Sequence, residues 1–279
     1  MFNVIFFTED TANSNILRET DYNFATLKNG ERLFYNMNIE SFNSDLSSLT
    51  KGNSMFEYCS NLINFTGDLS ALTDGYRMFN NCYNLSKTEL KNLSSLIDGS
   101  NMFKNCSNLT TLDFKNLSSL TKGNSMFEYC SNITNFTTKL SSLTDGSYMF
   151  YCCNKLNYFS SDLSSLKYGY YMFYGCSTLK TFISDLSSLT NGNSMFGNCS
   201  NLTTFTSDLS SLTDGSYMFK NCNKLTTFTS DLSSLTNGYD MFYGCSTLKS
   251  FTSDLSSLTD GARMFYKCKL DAKSVRYII

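Results

Sequence analysis

The sequence predicts a β-rich solenoid, a stack of about eleven rungs of 23 residues that share one parallel sheet and carry a cap at each end. Three observations support this. A Met-Phe pair returns ten times, at spacings of 23 residues with two of 24. A glycine and a set of leucines return with it in a constant frame. The composition is narrow, without Pro, Trp or His, yet 41% hydrophobic, so the repetition indicates a folded array.

The Met-Phe pair sets the period of the chain. Its phenylalanines are Phe56, Phe79, Phe103, Phe127, Phe150, Phe173, Phe196, Phe219, Phe242 and Phe265. Leu33-Phe34, which follows Gly30, supplies an eleventh and degenerate rung at the start. One rung cannot bury its apolar residues alone, whereas stacked copies form a continuous core.

One typical rung shows which residues are expected inside. The recurring frame is Leu202, Phe205, Leu209, Leu212, Gly215, Met218, Phe219 and Cys222. Residues 202–207 are rich in threonine around Phe205, which predicts a short strand that pairs in parallel with its neighbours. Ser207 stands where an inward aliphatic residue would be expected. Asp214-Gly215 is typical of a turn, and the recurring glycine predicts a backbone position with positive φ.

The frame divides the chain into three parts. Residues 1–23 are expected to form an N-terminal cap, residues 24–268 the solenoid, and residues 269–279 a C-terminal helical cap. The helix is predicted because Leu270, Val275 and Ile278 follow one another at roughly helical spacing.

Charge and hydropathy exclude several classes of partner. The formal net charge is -2 and the cationic residues are scattered, so no nucleic-acid partner is expected. No apolar stretch is long enough to predict a membrane span, and the N-terminus lacks the basic start of a secretory signal. The location therefore stays open between the cytoplasm, a phage particle and a surface reached by non-classical export.

Cysteine also recurs once per rung, and an aspartate recurs in most rungs. The regular cysteines are Cys59, Cys82, Cys106, Cys130, Cys153, Cys176, Cys199, Cys222, Cys245 and Cys268. One cysteine per rung, without histidine, fits neither a zinc site nor disulfides, so buried free thiols are expected. Only Cys152 lies off this series and is expected to be exposed. The aspartate that precedes most of the Leu-Ser-Ser-Leu segments, such as Asp208, predicts a turn cap rather than calcium. No metal or cofactor is predicted.

The frame Gly-x-x-Met-Phe-x-x-Cys-x-x-Leu-x-x-Phe resembles the BspA-type, or treponemal-type, leucine-rich repeat. It is also similar to a Met-Phe-x-x-Cys repeat of unknown function in mycoplasma surface proteins. The likeness covers roughly residues 24–270. It implies a leucine-rich-repeat solenoid used for adhesion or protein recognition, and it brings no catalytic residues.

A higher-order repeat points to a repeated surface. Residues 123–179 match residues 192–248 almost rung for rung at an offset of 69 residues, so the duplicated unit is three rungs. The candidate binding surface consists of large exposed side chains beside the Met-Phe pairs and of the threonines that flank the strand phenylalanine. Its residues are Tyr148, Tyr168, Tyr170, Tyr171, Tyr217, Tyr239, Thr204, Thr206, Thr227 and Thr229.

The sequence favours binding over catalysis, because no histidine is available for acid-base chemistry and no carboxylate pair departs from the frame. The leading hypothesis is a non-enzymatic recognition or adhesion solenoid that binds protein or carbohydrate, on a cell or phage surface. The alternative is a structural spacer or assembly component, for which self-association is expected. A third hypothesis, ice binding, rests on the Thr-x-Thr face.

Overall fold

The computed structural model describes residues 24–90, 92–110, 112 and 116–275. These residues form the predicted stack of parallel rungs. Single parallel bridges link the residue before each recurring glycine to its equivalent in the next rung, from Asn29↔Lys51 through to Asn237↔Asp260. Ten such bridges join eleven rungs, so the rung count and the leucine-rich-repeat solenoid predicted from the sequence are confirmed. In the described ranges no helix is long and apolar enough to cross a membrane.

The strands are short and parallel, and nine of the eleven rungs contain one in the described residues. They are β1 Ser41–Asn43, β2 Asn64–Gly67, β3 Lys87–Leu90, β4 Asn135–Phe136, β5 Tyr158–Phe159, β6 Thr181–Phe182, β7 Thr204–Phe205, β8 Thr227–Phe228 and β9 Ser250–Phe251. Strands β1, β2 and β3 form one sheet, and β4-β5, β6-β7 and β8-β9 pair separately. Every strand except β3, which has Thr88 at this position, buries a phenylalanine, and the residue before it is exposed or half-buried, as alternation in a strand requires.

The segment around each Met-Phe pair is a run of tight turns. In the second rung, the N–H groups of Met55, Glu57 and Cys59 donate to carbonyls three residues back. The alternate N–H groups donate to carbonyls of the following rung, for example Phe56 N to Met78 O at 2.8 Å. The backbone N–H groups of each turn segment are thus hydrogen-bonded alternately within the segment and to the next rung.

The recurring glycine does not have positive φ, so that prediction was wrong. Positive φ occurs instead two and six residues after it, for example at Ser54 (54°) and Tyr58 (64°). The glycine is required for space. A Cβ on Gly52 would lie 2.8 Å from Sδ of Met78, one rung further on. Only a residue without a side chain lets the methionine of the next rung pack this closely.

Two stacks of phenylalanine rings fill the interior. Phe219 of a Met-Phe pair lies parallel to Phe242 at 5.4 Å, and edge to face with the strand ring Phe205 at 4.8 Å. Centroid distances of this kind are the favoured ones for aromatic pairs. Methionine, cysteine and the three leucines of the inner rungs complete a core that is almost entirely closed to solvent.

The cysteines occupy the core as free thiols, as the sequence predicts. Each regular thiol donates to the carbonyl of the Met-Phe phenylalanine in the preceding rung, for example Cys222 Sγ to Phe196 O at 3.2 Å. Burial raises the pKa of Cys59 to about 11 and that of Cys82 well above its ordinary value. The thiols therefore act as small packing groups with one weak hydrogen bond each.

The strand phenylalanine stack is interrupted in the first of the two 24-residue rungs. Thr88 stands opposite Phe65 in the β2-β3 register, where the other strands place a phenylalanine. It is buried, and its hydroxyl oxygen has no hydrogen-bond partner in the described part of the chain. Leu90 is buried two residues later, opposite Gly67. Phe114, in the second 24-residue rung, lies outside the described residues.

The ends of the stack differ from its middle. Helix α1, Ala272–Val275, lies within the predicted C-terminal cap and contacts β9, where Ser274 Oγ accepts a hydrogen bond from Phe251 N at 2.9 Å. At the other end Phe24 covers the rings of Phe34 and Phe42. The predicted N-terminal cap, residues 1–23, lies outside the described residues.

Candidate recognition surface

In many rungs the turn segment places side chains on the outer surface. They stand two and five residues after the glycine, although some of these positions are buried, such as Asp240, and the Met-Phe pair between them lies in the core. In the rung of Gly146 these outward residues are Tyr148 and Tyr151. Because every rung repeats the same turns, outward residues of neighbouring rungs stand directly beside one another.

Four tyrosines of adjacent rungs meet on this surface as a compact group, here called the tyrosine quartet: Tyr148, Tyr151, Tyr171 and Tyr174. Tyr148 stacks on Tyr171 with centroids 5.0 Å apart, and Tyr151 stacks on Tyr174 at 5.3 Å. Within each rung the two rings lie 5.7 and 5.3 Å apart. The quartet is therefore a two-by-two patch of amphipathic rings, partly open to solvent.

Neighbouring groups hold the quartet in place. Tyr129 meets Tyr151 edge to face at 5.4 Å. On the other side, Asn198 Nδ2 donates to the Tyr174 hydroxyl at 2.7 Å. Partial burial raises the pKa of Tyr148, and it raises that of Tyr151 to about 12. The hydroxyls thus stay protonated at neutral pH and can both donate and accept hydrogen bonds.

The sequence identified half of this group. Tyr148 and Tyr171 were among the candidate residues, whereas Tyr151 and Tyr174 were missed. Their signal is the three-residue spacing from Tyr148 and Tyr171, which puts both outward positions of two successive rungs in one residue type.

Tyr168 and Tyr170 are exposed but stand apart from the quartet. Tyr168 lies on the bridge series between Asp145 and Asn191. The Tyr170 hydroxyl accepts a hydrogen bond from Asn191 Nδ2 at 2.9 Å. Among the ring contacts of the described residues, none joins either tyrosine to the quartet. The part of these two residues in binding stays a prediction.

Tyr217 and Tyr239 belong to a second, charged group further along the same surface. Their rings meet edge to face at 5.3 Å. Beside them, the buried carboxylate of Asp240 accepts two hydrogen bonds of 2.8 Å from Arg263 and lies 3.4 Å from the Lys220 amine. Lys220 and Arg263 contact the Asp240 carboxylate and the Tyr243 ring, so their charges are already paired within this group.

The predicted threonine face is exposed but interrupted. Thr204 and Thr206 flank Phe205, and Thr227 and Thr229 flank Phe228, all four with exposed side chains. Two rungs earlier Tyr158 occupies the first of these positions, and one rung earlier Ile183, which is 69% exposed, occupies the second. The uninterrupted hydroxyl array is therefore confined to the last rungs.

A shallow open depression of about 410 Å³ adjoins the quartet. Its lining is uncharged and consists of Tyr83, Asn105, Ser107, Tyr129, Ser131, Cys152 and Asn154. The depression extends the polar, aromatic character of the quartet towards the N-terminal rungs.

Cys152 is half-buried at the edge of this depression. Burial is the main cause of its raised pKa, although a hydrogen bond involving Tyr151 opposes the shift. No cation lines the depression with it to stabilise a thiolate. The lining of the depression therefore offers no group that would activate this cysteine, which is less exposed than the sequence predicts.

The acidic side chains of the repeat serve as turn caps. Asp208 Oδ1 accepts a hydrogen bond from Ser210 N at 2.8 Å, and Asp231 and Asp254 do the same for Ser233 and Ser256. Within the described ranges, no group of three or more potential metal-ligating side chains comes together. The predicted turn-capping role of the aspartates is confirmed.

The chain is similar to several solved bacterial structures. A leucine-rich repeat protein from Bacteroides ovatus is 22% identical, with 86% of this chain and 80% of that chain covered and a TM-score of 0.38. A leucine rich cell surface protein from Faecalibacterium prausnitzii is 15% identical, covering 81% and 83%, with a TM-score of 0.31. A leucine-rich repeat protein from Eubacterium ventriosum is 15% identical, covering 79% and 83%, with a TM-score of 0.33.

No curated protein sequence matches the chain. The model of the BspA type leucine rich repeat region, in contrast, matches it over residues 12–110, 75–180 and 167–276, in six copies. These matches span nearly the whole solenoid, with its recurring glycine, Met-Phe pair, cysteine and leucines. The chain therefore belongs to the BspA-type leucine-rich repeat family.

Proposed function

We propose that this solenoid is a non-enzymatic recognition protein that binds protein or carbohydrate through the tyrosine quartet and the depression beside it. Leucine-rich repeat proteins are generally interaction or adhesion scaffolds, which gives the broad function. The observation that carries the finer proposal is the stacking of Tyr148 on Tyr171 beside Tyr151 on Tyr174. Tyrosine offers a large contact area and a hydroxyl at low entropic cost.

The neutral lining of the depression supports the choice of partner. Its amide and hydroxyl groups can hydrogen-bond an uncharged polar ligand, while the tyrosine rings can cover an apolar face of the same ligand. Lys104 and Glu128, which directly precede the lining residues Asn105 and Tyr129 in sequence, neutralise each other through an ion pair of 2.9 Å. A strongly charged partner is therefore disfavoured at this surface.

The proposal can be tested with two printed arrays, one of neutral and acidic oligosaccharides and one of peptides of mixed sequence. The fluorescently labelled chain should bind members of one array. The double variant Tyr148→Ser, Tyr171→Ser should weaken that binding by about tenfold or more, because each lost ring is worth roughly 1 kcal/mol or more at the centre of an interface.

The matched control is the double variant Tyr168→Ser, Tyr170→Ser, which removes two exposed tyrosines outside the quartet. It should leave binding nearly unchanged. Absence of binding on both arrays would overturn the recognition function. Equal loss in both double variants would overturn its assignment to the quartet, and thermal unfolding of each variant shows that the fold is intact.

The alternative hypotheses receive less support. Ice binding needs an extended flat hydroxyl array, and Tyr158 and Ile183 interrupt that array on the strand face. A spacer or assembly role would not account for the clustering of tyrosines in adjacent rungs.

A further inference from the structure

The depression beside the quartet is built from only two positions of the repeat. Four of its lining residues stand eight residues after the glycines of four successive rungs: Tyr83, Ser107, Ser131 and Asn154. The other three stand six residues after a glycine: Asn105, Tyr129 and Cys152. Because equivalent positions of successive rungs lie beside one another, these residues form two columns. The depression therefore runs along the stack across four rungs, which suits a linear ligand.

The backbone fixes the relation between the two columns. Positive φ occurs at Asn105 (63°), Tyr129 (60°) and Cys152 (57°). A tight turn follows, in which Ser131 N donates to Tyr129 O at 2.8 Å and Asn154 N donates to Cys152 O at 2.9 Å. The lining is thus preformed by the repeat itself, which lowers the entropic cost of binding a ligand.

Two tyrosine rings of the lining are held in place and still accessible. Tyr83 is 45% exposed and Tyr129 is 43% exposed. The Tyr83 hydroxyl donates to Asn81 Oδ1 at 3.0 Å, and Asn105 Nδ2 donates to the same oxygen at 2.7 Å. The ring of Tyr129 meets Tyr151 of the quartet edge to face at 5.4 Å. Each ring can therefore cover an apolar face of a ligand with little loss of side-chain freedom.

The lining also has unused hydrogen-bonding capacity. Among the hydrogen bonds of the described residues, none uses the Tyr129 hydroxyl, the Ser131 hydroxyl or Oδ1 of Asn105. The lining contains no charged side chain. A ligand that is rich in hydroxyl groups, carries no charge and has apolar C–H faces matches these groups and the two rings.

The period along the depression favours a sugar chain over a peptide. The core rings of Phe79, Phe103 and Phe127, one in each of three rungs here, follow one another at 5.3 and 5.6 Å. An extended peptide advances about 3.3 Å per residue, so neither one nor two of its residues match this spacing. In an extended sugar chain, one pyranose ring with its linking oxygen advances by nearly one rung. Each sugar unit can then meet the same two columns.

The next rung leaves the depression open towards the C-terminus. Gly175 stands six residues after Gly169, at the position that Cys152 occupies one rung earlier, and Ser177 stands at the other position. A ring or a long side chain is therefore absent from both positions of this rung. A sugar chain longer than the depression can continue along the stack instead of ending in it.

We propose that the depression binds a linear, uncharged oligosaccharide lengthwise, with one sugar unit per rung and sugar faces against Tyr83 and Tyr129. This inference rests on the recognition function proposed above and specifies the class and direction of its ligand. The quartet, which Tyr129 contacts through Tyr151, adds contacts at the side of the bound chain.

The length dependence of binding tests the one-unit-per-rung arrangement. Isothermal titration calorimetry of the full chain is carried out with linear glucose, mannose and N-acetylglucosamine oligomers of two to six units. In the series that binds, the affinity should rise severalfold with each added unit up to four and level off beyond four, because four rungs line the depression. An affinity independent of length would overturn the inference. So would equal binding of acidic oligosaccharides of the same length.

A substitution that fills the depression tests its location. Ser131→Tyr places a large ring in the lining and should weaken oligosaccharide binding by about tenfold or more. The matched control is Ser200→Tyr, at the equivalent half-buried position 69 residues later and outside the lining, which should bind as wild type does. Equal binding by the two variants would overturn the inference, and thermal unfolding of each variant shows that the fold is intact.

Failure of this inference can be told apart from failure of the recognition function. Peptides of mixed sequence serve as the second probe. Binding of a peptide, lost in the double variant Tyr148→Ser, Tyr171→Ser and accompanied by no oligosaccharide binding, would overturn this inference and leave the recognition function standing. Absence of binding to both classes of probe would overturn both.

Discussion

The sulfur of Met78 lies where a Cβ on Gly52 would be only 2.8 Å away, so the methionine of one rung occupies the space that the glycine of the previous rung leaves empty. This contact recurs along the stack and sets how closely the turn segments approach one another. It explains why glycine and methionine return together in the sequence.

Replacing this glycine should destabilise the protein through overpacking. For Gly52→Ala we expect a loss of about 1 to 3 kcal/mol in the free energy of unfolding, because Met78 must leave a well-packed position. Urea unfolding measures it. The double variant Gly52→Ala, Met78→Ala should lose less than the sum of the single variants, since the shorter side chain restores space. Strict additivity would contradict the steric explanation.

At the positions with positive φ, substitution by glycine should be tolerated and substitution by a bulky residue should destabilise the protein. Ser125 has a φ of 56° two residues after Gly123. Ser125→Val should cost roughly 1 to 2 kcal/mol, because a β-branched side chain is strained in this region. Ser125→Gly should be close to neutral or stabilising. Thermal unfolding of the two variants compares them, and equal effects would refute the assignment of strain to this position.

The orphan hydroxyl of Thr88 provides a stabilising substitution. Thr88→Val keeps the shape of the side chain and removes a buried oxygen that lacks a hydrogen-bond partner. We expect a gain of about 1 to 2 kcal/mol in the free energy of unfolding, the cost of desolvating an unpaired hydroxyl. A matched substitution is Thr204→Val, at an exposed hydroxyl, which should gain much less. A loss of stability in Thr88→Val would contradict the described environment.

The thiol series should make the protein sensitive to alkali. Burial holds the pKa of the regular cysteines above the ordinary value of 9.0, so folded thiols stay protonated where unfolded ones ionise. The protonated thiols therefore do not lower the free energy of unfolding below about pH 9. Above that pH the free energy of unfolding falls by up to about 1.4 kcal/mol per pH unit for each buried thiol. Urea titrations at rising pH measure this slope.

Two controls separate the thiols from other alkaline effects. Cys222→Ala should make the slope shallower, whereas Cys152→Ala, at the half-buried cysteine, should change it less. Thiol-specific alkylation of the native protein should modify Cys152 well before Cys222. An unchanged slope in Cys222→Ala would contradict the proposed linkage.

The sequence predicted the layout of each rung because burial in a solenoid follows from periodicity alone. The residues equivalent to Phe219 and Cys222 have the same surroundings in every inner rung, so one prediction of burial applies to all of them. The role of the glycine was mistaken for a related reason. Recurrence shows that glycine is needed at this position. A requirement for positive φ and a requirement for space beside Met78 both produce a recurring glycine, so the sequence does not distinguish them.

The surface was predicted only in part because its contacts run between rungs. Tyr148 and Tyr171 were recognisable as large outward residues, whereas the contact between Tyr151 and Tyr174 depends on which positions of two successive rungs face solvent together. That requires the turn geometry, which the sequence does not specify until the left-handed positions are known.

The most direct test of the recognition surface is an equilibrium titration with the strongest probe found on the arrays. We expect Tyr148→Ser, Tyr171→Ser and their double variant to raise the dissociation constant progressively, while the double variant Tyr168→Ser, Tyr170→Ser keeps the wild-type value. Binding by the quartet double variant with an unchanged dissociation constant would contradict it.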